Sequence, residues 1–180
     1  MKRESAHSGI SLLNFDGTLR RQPLLGRYAG EWIDFSDLSG CQYYCASDSL
    51  RKIQDRLRAR RHKRITFIGN GNYHYVTYVL LSEIRGPFSL ILFDHHTDLA
   101  QNGDDPLPLL SCGSWVSTAL NTLPQLSRVV IIGARPQNRQ KDPNLPEKVT
   151  VISEHEVTRR STAEVVRAIR SVLPEQPLYI

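Results

Sequence analysis

The chain contains no run of about 18 apolar residues, the length a membrane span requires. Its basic start, Met1-Lys2-Arg3-Glu4-Ser5, is not followed by an apolar stretch and does not read as a secretory signal. Cysteine is scarce and odd in number, with only Cys41, Cys45 and Cys112. Without a signal, that count points to reduced thiols and a cytoplasmic protein. Cys41 and Cys45 lack the second pair that would complete a zinc set, so ordinary packing accounts for them. Neither an internal repeat nor a low-complexity tract is present. What is present is ordinary for a folded domain: 40% hydrophobic and 23% charged residues in 180. That balance excludes a disordered tail, a collagen and a coiled coil, and the length suffices to bury a core without disulfides.

The net charge of +5 invites a nucleic-acid reading, but its distribution argues against one. Residues 51–64 carry eight Lys or Arg and one acid, Asp55, leaving about −2 for everything else. Within that run Leu50, Ile53 and Leu57 recur at helical spacing. The arginines then occupy the wet face of an amphipathic helix, and nucleic acid is not an expected partner.

Short apolar runs alternate with helical patterns along the chain. Strands are expected at residues 10–15, 65–68, 88–93, 128–132 and 148–152, with a further strand beginning at 177–180. Helices are expected from 47 to about 61 (Ser47 or Asp48 as N-cap), over 73–84, over 111–120, and from a capping box at Ser161-Thr-Ala-Glu164 to about 173. Residues 22–45 read as loop with a short element, and 101–108 and 134–147 as polar loops. This rhythm predicts an α/β fold, three layers with a mostly parallel sheet between helices. In such sheets sites form beyond the carboxyl ends of strands. The 88–93 run, apolar on both faces as a central parallel strand must be, leads straight into Asp94-His95-His96-Thr97-Asp98. Asp94, His96 and Asp98 sit at i, i+2 and i+4 and can point the same way in an extended segment. Mixed carboxylate and imidazole donors suit Mn, Fe or Zn, and two clustered carboxylates require a cation or a shared proton. The preceding strand ends in Gly69-Asn70-Gly71-Asn72-Tyr73-His74, placing a second imidazole after a glycine-rich turn. Neighbouring parallel strands would bring His74 towards Asp94 and Asp98; alone, His74 reads equally well as a surface or capping histidine.

These motifs resemble those of the ureohydrolase superfamily, the arginase and agmatinase relatives. Asp94-His95-His96-Thr97-Asp98 looks like the family's Asp-x-His-x-Asp, and Gly71-Asn72-Tyr73-His74 looks like its Gly-Gly-Asp-His. The resemblance implies an arginase-like fold in one partial domain over 1–180. It also implies a pair of Mn2+ ions, with His74 and Asp98 on one, His96 on the other and Asp94 bridging. Hydrolysis of a linear C–N bond in a small guanidino or amidine substrate would follow, because a metal brings the acidity of water into the working range. Three departures accompany it. Tyr73 stands where the family has a carboxylate. Cys112, in Ser111-Cys112-Gly113, stands at the place of a histidine that assists proton transfer. A thiol could do so, although Cys112 also reads as a plain buried helix residue. The family's later Ser-x-Asp-x-Asp motif has no counterpart, so the resemblance implies a chain that stops on entry to the strand carrying it, incomplete at its C-terminus. A single ion, or none, is the alternative to the pair.

Asp94-His95-His96 also resembles the manganese phosphoesterases named for Asp-His-His, which carry further aspartates near their N-terminal strands; here Asp16 stands without companions and reads as a turn residue. The histone-deacetylase-like branch shares the broad fold. A third reading is a non-catalytic remnant or subunit whose exposed sheet edge invites a partner. An oligomer is compatible with all three.

Overall fold

The short apolar segment Leu12-Leu13 lies between Gly9 and Gly17, both at positive φ, and forms β1 (Ile10–Asn14). The computed structural model describes residues 9–100, 109–135 and 145–180. The described residues divide into two compact units, 9–80 with 109–112 and 81–100 with 113–135 and 145–180. The fold is mixed α/β with parallel sheets, as the alternation of apolar runs and helical patterns implied. The loop expected over 101–108 and most of that over 134–147 lie outside the described residues.

In the first unit, β1 is the central strand of a parallel three-stranded sheet. It pairs with β2 (Glu31–Asp34) in the register Leu12↔Trp32 and, across β3 (Tyr44–Cys45) and α2 (Ser47–Arg58) in sequence, with β4 (Ile65–Phe67) in the register Ser11↔Thr66. The segment read as loop with a short element over 22–45 holds more than one: α1 (Pro23–Tyr28), an edge strand and β3. The edge strand alternates half-buried and exposed side chains, so its apolar content is too low to announce it. Helix α2 confirms the buried face: Ile53 and Leu57 are fully buried. Its N-cap is Ala46, not Ser47 or Asp48, and no side chain caps it. Arg51 pairs with Asp48, Arg58 with Asp55 (2.8 Å) and Arg56 with Asp37 (2.6 Å). These three of the run's eight cations are thus paired with nearby carboxylates. Arg60 departs from the wet-face expectation: it is buried and donates to Thr66 Oγ1. Glu31 anchors the end of the run. Burial works against its ionisation, yet the N–H groups of His62 and Arg61 and the Ser11 hydroxyl hold its carboxyl below the usual range.

The helix expected over 73–84 is shorter: a 3-10 turn (Gly71–Tyr73) precedes α3 (Val76–Ser82). The second unit is built on β5 (Phe88–Phe93), buried from Phe88 to Leu92. Counting β6 (Leu110–Ser111) of the first unit and α4 (Trp115–Thr122), the next strand is β7 (Leu126–Ala134), then β8 (Val149–Ser153) and, at the far end, β9 (Leu178–Tyr179). These form a parallel sheet in the order β8-β7-β5-β9. Strand β7 runs on through Gly133, where φ is +95 and the ladder to β8 shifts register, so the glycine marks an irregularity and not the strand's end. Ile91, Val130, Ile132 and Ile152 form one face of the sheet's core, covered by Val157, Val165, Ile169 and Val172. Each such buried aliphatic side chain contributes about 1.5–3 kcal/mol. Those covering residues belong to α5 (Glu154–Arg159), which the sequence reading missed, and α6 (Thr162–Val172). Both helices open with capping boxes, Ser153 with Glu156 and Ser161 with Glu164, the second as expected. Among the described residues no helix is long and apolar enough to cross a membrane.

Candidate metal centre

In the second unit the β5–β7 pairing continues one step beyond the strand. Asp94 N–H donates to Ile132 O (3.1 Å) and Arg135 N–H donates to His95 O (3.0 Å). The start of the Asp-His-His-Thr-Asp segment is thereby fixed at the carboxyl end of the sheet's interior strand, where polar chemistry was sought. Asp94 Oδ1 then accepts the His96 N–H at 2.9 Å, an Asx turn that bends the chain. His96 Nδ1 lies 3.5 Å from the same oxygen. Asp98 adopts φ +51, left-handed backbone tolerated by aspartate better than by most side chains. Its carbonyl accepts the N–H groups of Val116 (3.2 Å) and Ser117 (3.3 Å) in the first turn of α4. Asp98 as a residue is 6% exposed, and its carboxylate accepts the indole N–H of Trp115 at 2.6 Å. One carboxylate oxygen of Asp94 and one of Asp98 lie within 4.8 Å of each other. His95 is turned to a different neighbour, its Nδ1 4.0 Å from Glu154 on α5.

His74 belongs to the first unit. It follows the 3-10 turn and caps it, donating its N–H to Gly71 O at 3.1 Å. The turn is set by Asn70, whose side chain accepts the Asn72 N–H at 2.8 Å. Gly69, at φ +104, lets the chain leave β4 in that direction. Cys112 is not a helix residue: it follows β6 in the first unit, donates its N–H to Tyr43 O (2.8 Å), and directs its thiol at Gly71 O (3.2 Å). Cys41 and Cys45 are buried; burial pushes the Cys41 thiol up and that of Cys45 up to about 11. Thiols held in that way do not readily become the thiolates that bind metals. Asp16 is the turn residue expected, accepting the Thr18 N–H at 2.9 Å.

The Arginase family model matches residues 12–180. The chain belongs to the arginase family. It is 31% identical over 130 residues to an uncharacterized protein of Thermotoga maritima, covering 72% of this chain and 50% of that one. It is likewise 31% identical over 156 residues to an agmatinase of Neisseria gonorrhoeae, covering 82% of this chain and 46% of the relative. The chain thus spans about half the length of these relatives. The arginase of Bacillus caldovelox superposes with a TM-score of 0.65 at 15% identity, over 94% of this chain and 72% of that one, which shows the shared fold.

The donor set of this arginase-family loop fits a divalent cation. Two carboxylates whose oxygens approach within 4.8 Å, one of them largely removed from water, favour a bound cation over mutual repulsion. Carboxylate and imidazole donors together suit Mn, Fe or Zn. Trp115 and Asn70 were not singled out from the sequence. The indole's position 17 residues beyond Asp98 carries no local signal, whereas Asn70, three residues before Tyr73 and adjoining two glycines, has the signature of an Asx turn.

Proposed function

We propose that the chain forms the metal-binding part of a hydrolase that cleaves a linear C–N bond of a small guanidino or amidine compound. The observation that carries this reading is the Asp94–Asp98 carboxylate pair at the end of β5 in a chain of the arginase family. Asp94, His96 and Asp98 are the proposed manganese ligands of the second unit, and the family pattern adds His74. Bound manganese would supply Lewis acidity, bringing the pKa of water towards neutrality. The chain's own residues do the rest. The Trp115 indole and the His96 N–H each hold one carboxylate in a fixed orientation, so that ligand geometry does not have to be assembled on binding. Cys112 is proposed to carry a proton to the leaving amine. The agmatinase relative supports a guanidino substrate, and a cytoplasmic location accords with the reduced cysteines.

Equilibrium dialysis against Mn2+ with metal analysis tests the first step. At least one ion per chain is expected, lost in Asp94→Ala and Asp98→Ala. Urea release from agmatine and arginine, and formamide or ammonia release from formiminoglutamate, test the second. A chain that binds no manganese refutes the reading. Binding without turnover on any of these compounds would support the non-catalytic alternative.

A further inference from the structure

The first unit contains an aromatic column that none of the ligand assignments uses. The Phe15 ring stacks on Phe35, with centroids 4.7 Å apart and planes at 11°, and on Tyr73, at 4.4 Å and 14°. The three rings are buried, Phe35 completely. The column has a fixed outer end: the Arg56 guanidinium lies 5.6 Å from the Phe35 ring centre and is clamped by two 2.6 Å hydrogen bonds to Asp37 and one of 2.7 Å to Asp34 O. Its inner end is Tyr73, the residue directly before His74. A second tie runs beside it, from the Asn70 amide to the Asp16 carboxylate, and Asp16 adjoins Phe15. The 3-10 turn ahead of His74 is also held through its carbonyls. Gly71 O accepts the His74 N–H (3.1 Å) and faces the Cys112 thiol (3.2 Å), while Asn72 O accepts the Tyr43 N–H (2.8 Å).

We propose that the Phe35–Phe15–Tyr73 column is the positioning device for His74, fixing the turn so that the imidazole is presented in a single orientation. This rests on the assignment of His74 as a metal ligand. Tyr73, at the place where the family carries an acid, is on this account a buttress and not a defect. A flat ring can stack on Phe15 and brace the turn, which a carboxylate cannot do in a dry aromatic setting. Phe15 and Tyr73 are positioning residues, acting through the backbone of residue 74.

The full chain, labelled with 13C and 15N in histidine, gives the readout in metal-free buffer, with His74→Asn assigning the His74 ring signal. Tyr73→Phe keeps the stack and should leave one sharp signal and the parent Mn2+ affinity, measured by titration with detection of free ion by electron paramagnetic resonance. Tyr73→Leu and Phe15→Leu should shift or split the signal and weaken Mn2+ binding roughly 10- to 100-fold, the usual cost of losing support behind a ligand. If Phe15→Leu fails to fold, Tyr73→Leu at the column's end carries the same test. An unchanged ring signal and unchanged affinity in folded Tyr73→Leu overturns the proposal. A split signal in a chain whose parent binds no manganese upholds the positioning and refutes the metal assignment instead.

Discussion

Trp115→Phe is the perturbation that tests most directly whether Asp98 is held as a site residue. Trp115 is fully buried, and its indole N–H donates to Asp98 Oδ2 at 2.6 Å. Phenylalanine keeps most of the ring and removes the donor. Loss of a hydrogen bond to a charged group costs about 1.5–3 kcal/mol. The smaller ring leaves a void worth a further 0.5–1.5 kcal/mol or so, as for other small truncations in a packed core. The expected destabilisation is therefore about 2–4.5 kcal/mol, read as a lower midpoint in urea with chelator present. A double-mutant cycle with Asp98→Ala separates the two contributions, because the void is common to both backgrounds and the hydrogen bond is not. A coupling of about 1.5 kcal/mol or more is expected. Coupling below about 0.5 kcal/mol, the level seen for independent sites, would show that the indole does not hold the carboxylate, and the pre-set ligand geometry would lose its main support.

Three further outcomes follow from the geometry. The Asp34 carboxyl is held down to about 2 by the Ser36 N–H and hydroxyl, with the Asn14 amide and Arg20 assisting, so the stability it contributes is complete above its ordinary value of 3.8 and is lost as pH falls towards about 2; Asp34→Asn should flatten the loss of stability over that window in an acid titration followed by circular dichroism. Ser161→Ala removes the oxygen that accepts the Glu164 N–H at the start of α6 and should cost about 1 kcal/mol in urea denaturation, whereas Ser161→Asp should cost little. Gly133→Ala places a Cβ at φ +95, 3.5 Å from Asp94 O, and should cost about 1–3 kcal/mol while also weakening Mn2+ binding; a neutral effect on both would remove the glycine from the account of how Asp94 is placed.

The interior strand of the second unit was legible because it is buried on both faces: the run from Phe88 to Leu92 is continuously apolar and admits no helical face. The same logic found β7 but ended it at Gly133, since a glycine after an apolar run reads as a stop; in the sheet it is an irregularity within the strand. Strand β2 escaped because Glu31-Trp32-Ile33-Asp34 is a strand only through its pairing with β1, and an edge needs few apolar residues. Helix α5 escaped through its shortness, although Ser153 and Glu156 stand at the same spacing as the capping box recognised at Ser161. At the site, the carboxylates were legible from residue type and from their place after a strand. Their supports were not. The Trp115–Asp98 bond and the Phe15–Tyr73 stack join residues 17 and 58 positions apart, and no local pattern specifies such pairings.

The two departures from the family's motifs within the first unit meet at one place. On the resemblance to the family's motifs, Tyr73 stands at the place of an acid and Cys112 at the place of a histidine, and by sequence alone these are two separate losses. In the structure both act on the turn before His74: Tyr73 through its stack on Phe15, Cys112 through its thiol at Gly71 O. An acid at 73 would need a polar partner in a region that offers the face of a phenyl ring, and an imidazole at 112 would have to fit where a small thiol now reaches a backbone carbonyl. Exchanging either residue alone would leave its partner's environment unmatched, which is the condition under which substitutions cease to be additive. Restoring the family residues one at a time, Tyr73→Asp or Cys112→His, should therefore destabilise the chain or weaken metal binding, not improve it. Manganese titration of each variant decides the point: tighter binding in either single variant would mean that the departures are independent losses and that the turn is not a co-adapted unit.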